Sequence, residues 1–248
     1  MSPGTDAVFT ADSLGVSFRG RQILKSATAW TRAGSVTAVL GRNGCGKTTL
    51  IRAALGLGRR DFGIVHFADR TWDRPRLSAL ARRGLFYLPD RGLLSWRRTV
   101  DWHLRAMGPI TNSQIDRAAI EGLEIEQFRS RKAKTMSGGE RRRAELALAL
   151  TRQPICLIAD EPLAEVSPRD RVLVSNAIRR LAAKGCAILV TGHEVDDLLN
   201  LADLVVWMVG GTTHWLGTPE EARTHVQFRM DYLSSTRTYP GSGGDTAC

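Results

Sequence analysis

A chain of 248 residues, 43% of them hydrophobic, can bury one large core with room for an inserted subdomain. No apolar run approaches the roughly 20 residues needed to cross a bilayer. The opening MSPGTDAVFTADS lacks the basic and apolar segments of a secretory leader, so a cytoplasmic protein is expected. The net charge of +10 is carried by scattered arginines, which allows anionic ligands, nucleic acid or an acidic surface as partners and selects none of them.

In chain order, the alternation in AVFTADSLGVSF and the apolar residues of QILKSATAW predict early β structure. SVTAVL reads as a short buried strand running into GRNGCGKTT, followed by a helix, TLIRAALGL, ended by Gly58. GIVHFA and GLFYLP are further strands, the second after a short basic helix. From about residue 97 to 152 the pattern turns helical, with Ser113 the expected N-cap of QIDRAAIEGLEIEQF and Asp116 completing its capping box. ICLIAD and AILVTG are strands separated by the helix RDRVLVSNAIRRLAAK, and DLVVWMV turns at Gly210-Gly211 into THWLG. The β-then-α rhythm on both sides of the helical block predicts an α/β fold with a mostly parallel sheet. Cys45, Cys156, Cys186 and Cys248 show neither CxxC nor metal-site spacing, and Cys156 and Cys186 read as reduced core residues.

GRNGCGKTT fits G-x-x-x-x-G-K-[ST] in full and lies between a predicted strand and a predicted helix, the context that gives the motif its meaning. Gly41, Gly44 and Gly46 let the backbone turn its N–H groups onto phosphate oxygens, with Asn43, Cys45 and Thr49 in the same wrap. The helix start adds a partial positive charge of about +0.5. Lys47 is expected to reach the β- and γ-phosphates of ATP, and the Thr48 hydroxyl to meet Mg²⁺. ICLIADEP supplies the acidic counterpart. Asp160 ends a buried strand, where it can hold Mg²⁺ through water, and Glu161 faces the space beyond the γ-phosphate, where it can activate a water.

The order phosphate loop, helical block, MSGGE, ADEP, TGHE resembles the ATP-binding subunit of ABC transporters, over nearly all of residues 7–225. The resemblance implies a P-loop NTPase core with an N-terminal antiparallel β portion and an inserted helical subdomain. The ATP-binding core would comprise residues 1–89 and 153–232, the helical subdomain 90–152 and a disordered tail 233–248. It further implies ATP hydrolysis with Mg²⁺, a homodimer or heterodimer of ATPase subunits around two ATP, and an integral membrane transporter subunit as partner. The protein would then sit on the cytoplasmic face of the membrane, with no direct nucleic acid. MSGGERRRAELALAL looks like the family's signature motif, so that Ser137, Gly138 and Gly139 would contact the γ-phosphate held by the other subunit's phosphate loop. Read from the residues alone, Ser137 and Glu140 also form a capping box. Phe18 stands where the family stacks an aromatic on adenine, and His193 where a switch histidine bonds the γ-phosphate. SGGERRR and DEPLAEV look most like the lipopolysaccharide-export and branched-chain amino-acid-uptake branches.

Two positions depart from the pattern. Asp90 replaces the glutamine of the family's Q-loop. At about 4 Å a divalent ion would attract its carboxylate by roughly 8 kcal/mol, against roughly 3 kcal/mol of repulsion per phosphate charge at about 6 Å, taking ε ≈ 20. Asp90 is therefore expected to make nucleotide binding unusually dependent on Mg²⁺; the alternative leaves its side chain in solvent. Ser167 replaces an aspartate, keeping a cap for the next helix and losing a charge. Helix N–H groups and Lys47 are expected to lower the Cys45 thiol pKa. Arg141, Arg142 and Arg143 are expected to form a solvated face, and Leu93, Leu94 and Trp96 of GLLSWRR either to suit a partner's groove or to pack against the helical subdomain. The competing functions are a soluble ATP-switched module for DNA repair or translation, for which the chain lacks a fused second half or coiled coil, and a P-loop kinase, against which MSGGE and His193 argue.

Overall fold

The computed structural model describes residues 6–108 and 120–233. Ten strands, β1 (Ala7–Phe18), β2 (Arg21–Arg32), β3 (Val36–Leu40), β4 (Phe62–Phe67), β5 (Arg70–Trp72), β6 (Leu85–Leu88), β7 (Cys156–Ala159), β8 (Ala187–Gly192), β9 (Leu204–Val209) and β10 (Thr212–Gly217), form one sheet. Their order is β5-β4-β1-β2-β10-β9-β3-β8-β7-β6. β9, β3, β8, β7 and β6 are parallel, whereas β5, β4, β1 and β2 are antiparallel and join the rest through β10. The sheet is thus mixed, a parallel half joined to an antiparallel one.

The period-two pattern of the central strands distributes side chains to two cores. Val36, Ala38, Leu40, Leu157, Ala159, Ile188 and Val190 enter one cluster, while Val39, Cys156, Ile158, Ala187 and Leu189 enter the other. Burial on both faces explains why these strands are continuous apolar runs rather than alternating ones. The first cluster is closed by helices α4 (Gly138–Arg152) and α5 (Pro168–Ala183), the second by α1 (Lys47–Ala54) and the antiparallel strands. The short helices α2 (Leu77–Arg82) and α3 (Val100–Met107) precede α4, and α6 (Val195–Leu201) and α7 (Pro219–Thr224) follow α5.

The segment after α3 departs from expectation. Ser113 and Asp116 lie outside the described residues, as do residues 234–248 of the expected tail. The helix predicted to run through Phe128 stops short of it, because Glu124 takes a left-handed conformation (φ 52°) and Ile125–Gln127 is a single 3₁₀ turn. The α1 helix ends at Ala54 rather than at Gly58. Ser167 caps α5 through the Asp170 N–H, with Pro168 in the first turn. Among the described residues no helix is long and apolar enough to cross a membrane.

Candidate functional site

Three adjacent parallel strands deliver the predicted residues to one place: β3 ends in the phosphate loop, β7 in Asp160 and Glu161, and β8 in Thr191 and Gly192 before His193. Adjacent parallel strands end at the same edge of a sheet, so residues separated by over a hundred positions meet there.

The phosphate loop is built on glycines in strained or crowded positions. Gly44 and Gly46 take φ 80° and 114°. A Cβ on Gly46 would lie 2.9 Å from Leu24 and Met208 side-chain atoms, and one on Gly41 2.8 Å from the Met208 carbonyl oxygen and 2.4 Å from Cys45 Sγ. The Lys47 side chain is 4% exposed. Its Nζ donates to Gly41 O (2.8 Å) and Arg42 O (3.4 Å) and pairs with Glu161 Oε1 at 3.3 Å. Asn43, Gly44 and Thr48 are exposed at the mouth, with Thr49 half-buried.

Asp160 is fully buried, and its Oδ1 accepts hydrogen bonds from Thr191 Oγ1 (2.6 Å) and Thr48 Oγ1 (3.3 Å). Burial pushes its pKa above the ordinary 3.8; the two threonine hydroxyls oppose that, and the charges of Asp90 and Glu161 add to it. Its Oδ2 is buried without a hydrogen-bond partner. An ionisable oxygen left unmatched beside a threonine hydroxyl suits a hard cation such as Mg²⁺. Among the described residues no three His, Cys, Asp or Glu side chains gather into a cage, so such an ion would be shared with phosphate, as Mg²⁺ usually is.

Glu161 sits at φ 48°, a conformation uncommon outside glycine. Its N–H donates to Thr191 Oγ1 (3.1 Å), and its Oε2 lies 3.3 Å from His193 Nδ1. One carboxylate thus stands between Lys47 and His193. Thr191, which the sequence reading passed over, bridges Asp160 and Glu161 through a single hydroxyl. Its signal in the sequence is a polar residue at the end of an otherwise apolar strand, AILVTG.

Beside this edge lies a cleft of about 590 Å³, lined by Asn43, Asp90, Trp96, Gly138, Glu161 and His193 among others. Asp90 is exposed, and Gly138 reaches the cleft from the signature side. The Ser137 hydroxyl accepts from the Glu140 N–H (3.1 Å) while Glu140 Oε2 accepts from the Ser137 N–H (2.8 Å), so the capping box is formed. Gly139 is buried, and a Cβ there would fall 2.1 Å from Asp170 Oδ2. Its lack of a side chain therefore serves helix packing. Phe18 is 64% exposed at the β1–β2 turn, with the Arg19 guanidinium 5.4 Å from its ring centre.

Three expectations need correcting. Cys45 is half-buried against the apolar cluster, and desolvation raises its thiol pKa although Lys47 opposes the rise. Arg142 and Arg143 are buried rather than solvated, because backbone carbonyls and carboxylates meet them inside. Arg142 donates to Pro89 O and Asp90 O, while Arg143 donates to Leu123 O and pairs with Asp170 at 3.0 Å. Arg141 donates to Met136 O and lies over Trp96. Leu93, Leu94 and Trp96 do not form one surface either. Leu94 packs in the core with the helical segment, as the alternative had it, Trp96 lines the large cleft, and Leu93 lines a separate apolar groove of about 190 Å³ with Leu77, Leu85, Phe86, Tyr87 and Met107.

The sequence profile of the ABC transporter family matches residues 24–164. The lipopolysaccharide export system ATP-binding protein LptB of Escherichia coli strain K12 is 32% identical over 234 residues, covering 92% of this chain and 97% of that protein. Its counterpart in Haemophilus influenzae is 30% identical with the same coverage. Among solved structures, an ATP-binding cassette of an ABC transporter in its ADP conformation superposes with a TM-score of 0.76 at 23% identity, covering 93% of this chain and 98% of that one. An ATP-bound Atm1-family exporter superposes at 0.78 over 94% of this chain and 43% of the exporter, at 18% identity. These likenesses extend over almost the whole chain, and the phosphate loop, acidic strand end and signature helix fall in the family's order. The chain belongs to the ABC transporter family, as an ATP-binding and ATP-hydrolysing subunit.

Proposed function

We propose that two copies of this chain, or this chain and a close relative, close head to tail around two ATP molecules and drive a separate integral membrane subunit from the cytoplasmic face. The observation that carries this reading is the meeting of Lys47, Glu161 and His193 within 3.3 Å contacts at the ends of three neighbouring strands. Lys47 and the backbone of Gly41 to Thr49 bind the β- and γ-phosphates, and Phe18 stacks on adenine. Thr48 and Asp160, with Asp90 nearby, would hold Mg²⁺, which when bound neutralises phosphate charge. Glu161 orients and deprotonates the attacking water, and His193 holds the γ-phosphate. Phosphate arriving at Lys47 competes with Glu161 for its amine, so binding ATP frees the base. Ser137, Gly138 and Gly139 present the start of α4 to the γ-phosphate held by the partner's loop. The apolar groove beside Leu93 and Phe86 is the seat for the membrane subunit.

Mixing inactive Lys47→Ala protein with inactive Ser137→Arg protein tests the sandwich. Half of the randomly formed dimers then hold one intact site out of two, so about a quarter of the parental turnover should return. Full turnover by a strictly monomeric protein, or no recovery on mixing, refutes the arrangement.

A further inference from the structure

We propose that Arg142 is a positioning residue: paired with Glu145, it fastens the Asp90 loop to α4, so that the head of this helix and the metal-facing loop of the same chain move as one body. The inference rests on the reading above that Asp90 serves Mg²⁺ and that the head of α4 serves the partner's nucleotide. Arg142 is 6% exposed, and its guanidinium donates to Pro89 O, Asp90 O and Glu145 Oε2, each at 3.1 Å. Glu145 is 2% exposed, and its Oε1 accepts the Leu93 N–H at 2.6 Å. One ion pair on one turn of helix therefore grips the loop at both ends, Pro89–Asp90 by carbonyls and Leu93 by its N–H. Gly92 fits because a Cβ there would lie 3.0 Å from Glu145 Oε1.

Stability alone does not account for this pair. Two buried charges are costly to desolvate, and an apolar pair of similar volume often does as well. An apolar pair could not satisfy two loop carbonyls and an N–H at once, nor fix where they sit. The geometry also forms a lever. Arg142 lies five residues, about 7.5 Å, along the helix from Ser137, so a shift of the head is passed to Asp90 without an intervening flexible joint. Arg141 and Arg143 point elsewhere, to Met136 and to Leu123 with Asp170, as the 100° step between helical neighbours requires.

The test measures ATP affinity with Mg²⁺ and with chelator in Glu161→Gln protein, which is expected to bind without turnover, and takes the ratio. Removing both charges with Arg142→Met/Glu145→Leu should lower that ratio about tenfold, as loss of an outer-shell partner typically does. Asp90→Gln should lower it by a similar factor, and the two changes combined should lower it no further, because the pair acts through Asp90. A pair variant that keeps the parental ratio while Asp90→Gln loses it, or factors that multiply in the combination, overturns the proposal. A ratio untouched by Asp90→Gln instead removes the metal reading on which the proposal rests. Should the double variant not fold, Arg142→Lys serves: it keeps a charge opposite Glu145 without the planar fork that reaches both carbonyls. Its ratio should also fall, and an unchanged ratio in folded Arg142→Lys protein counts against the proposal equally.

Discussion

The chain carries two glycine-bearing turns that open onto helices, and they are built differently. In the phosphate loop, Gly44 and Gly46 hold left-handed φ values, and no side chain caps the start of α1. Its leading N–H groups are left to an anion. At the signature head, neither Gly138 nor Gly139 takes a positive φ, and the Ser137–Glu140 box occupies two of the N–H groups that would otherwise face outward. The loop also brings its own cation, Lys47, buried among carbonyls and beside Glu161. The head brings no comparable cation into that position: Arg141, Arg142 and Arg143 all turn back to hold the fold. One turn thus leaves its helix start uncapped and brings its own cation, while the other is a capped helix start without a cation of its own.

The sharpest way to break this contrast is Lys47→Ala. Loss of a preorganised charge at the reacting phosphates should cost about 10³-fold in ATP turnover, read by phosphate release at saturating protein association; a loss under tenfold would mean that the loop's backbone suffices. A smaller effect is expected at Gly139→Ala. A Cβ 2.1 Å from Asp170 Oδ2 must displace the Asp170 side chain from its pairing with Arg143, at about 1–3 kcal/mol, seen as a lower denaturation midpoint. At Gly138 the nearest atom is Glu165 O at 3.2 Å, and alanine there should be milder. Equal stabilities of the two variants would show that packing does not distinguish the glycines. Ser137→Ala removes the cap and should cost about 1 kcal/mol, or about 2–4 °C in Tm for a domain of this size. No change would mean that the Glu140 half of the box holds the helix start alone.

The same contrast explains what was legible in the sequence. The phosphate loop could be read because local chemistry dictates it: glycine spacing, a buried strand before it and a helix after it recur wherever a backbone wraps phosphate. Asp160 and Glu161 could be read because a four-residue apolar strand has only one way to present its end. Arg142 and Arg143 could not, since consecutive arginines on a helix look solvated until the partners are known. Those partners, Pro89, Asp90 and Leu123, come from segments up to 53 residues away. Thr191 was missed for a similar reason: its hydroxyl matters only because β7 and β8 are neighbours. Cys45 was misjudged in sign, because the sequence displays Lys47 and the helix start but hides the desolvation that outweighs them. Local motifs carry local chemistry, whereas burial and long-range pairing decide charge.

The smallest expected effect lies at the acidic strand end beside the phosphate loop and concerns stability. Desolvation leads the causes that raise the Asp160 pKa above 3.8, so the ionised carboxylate disfavours the folded state. The corresponding stability is fully present below about pH 4 and is lost as pH rises through the folded-state pKa. Asp160→Asn removes that penalty while keeping an oxygen to accept the Thr191 and Thr48 hydroxyls. At pH 7 its Tm should exceed the parent's, by less than the loss at Ser137, and the advantage should vanish as pH falls below 4. Turnover should nevertheless collapse, because the anionic oxygen suited to Mg²⁺ is gone. A variant less stable than the parent at pH 7 would mean that the two threonine hydroxyls favour the ionised form more than burial opposes it. Asp160 would then be held for the fold as much as for the metal.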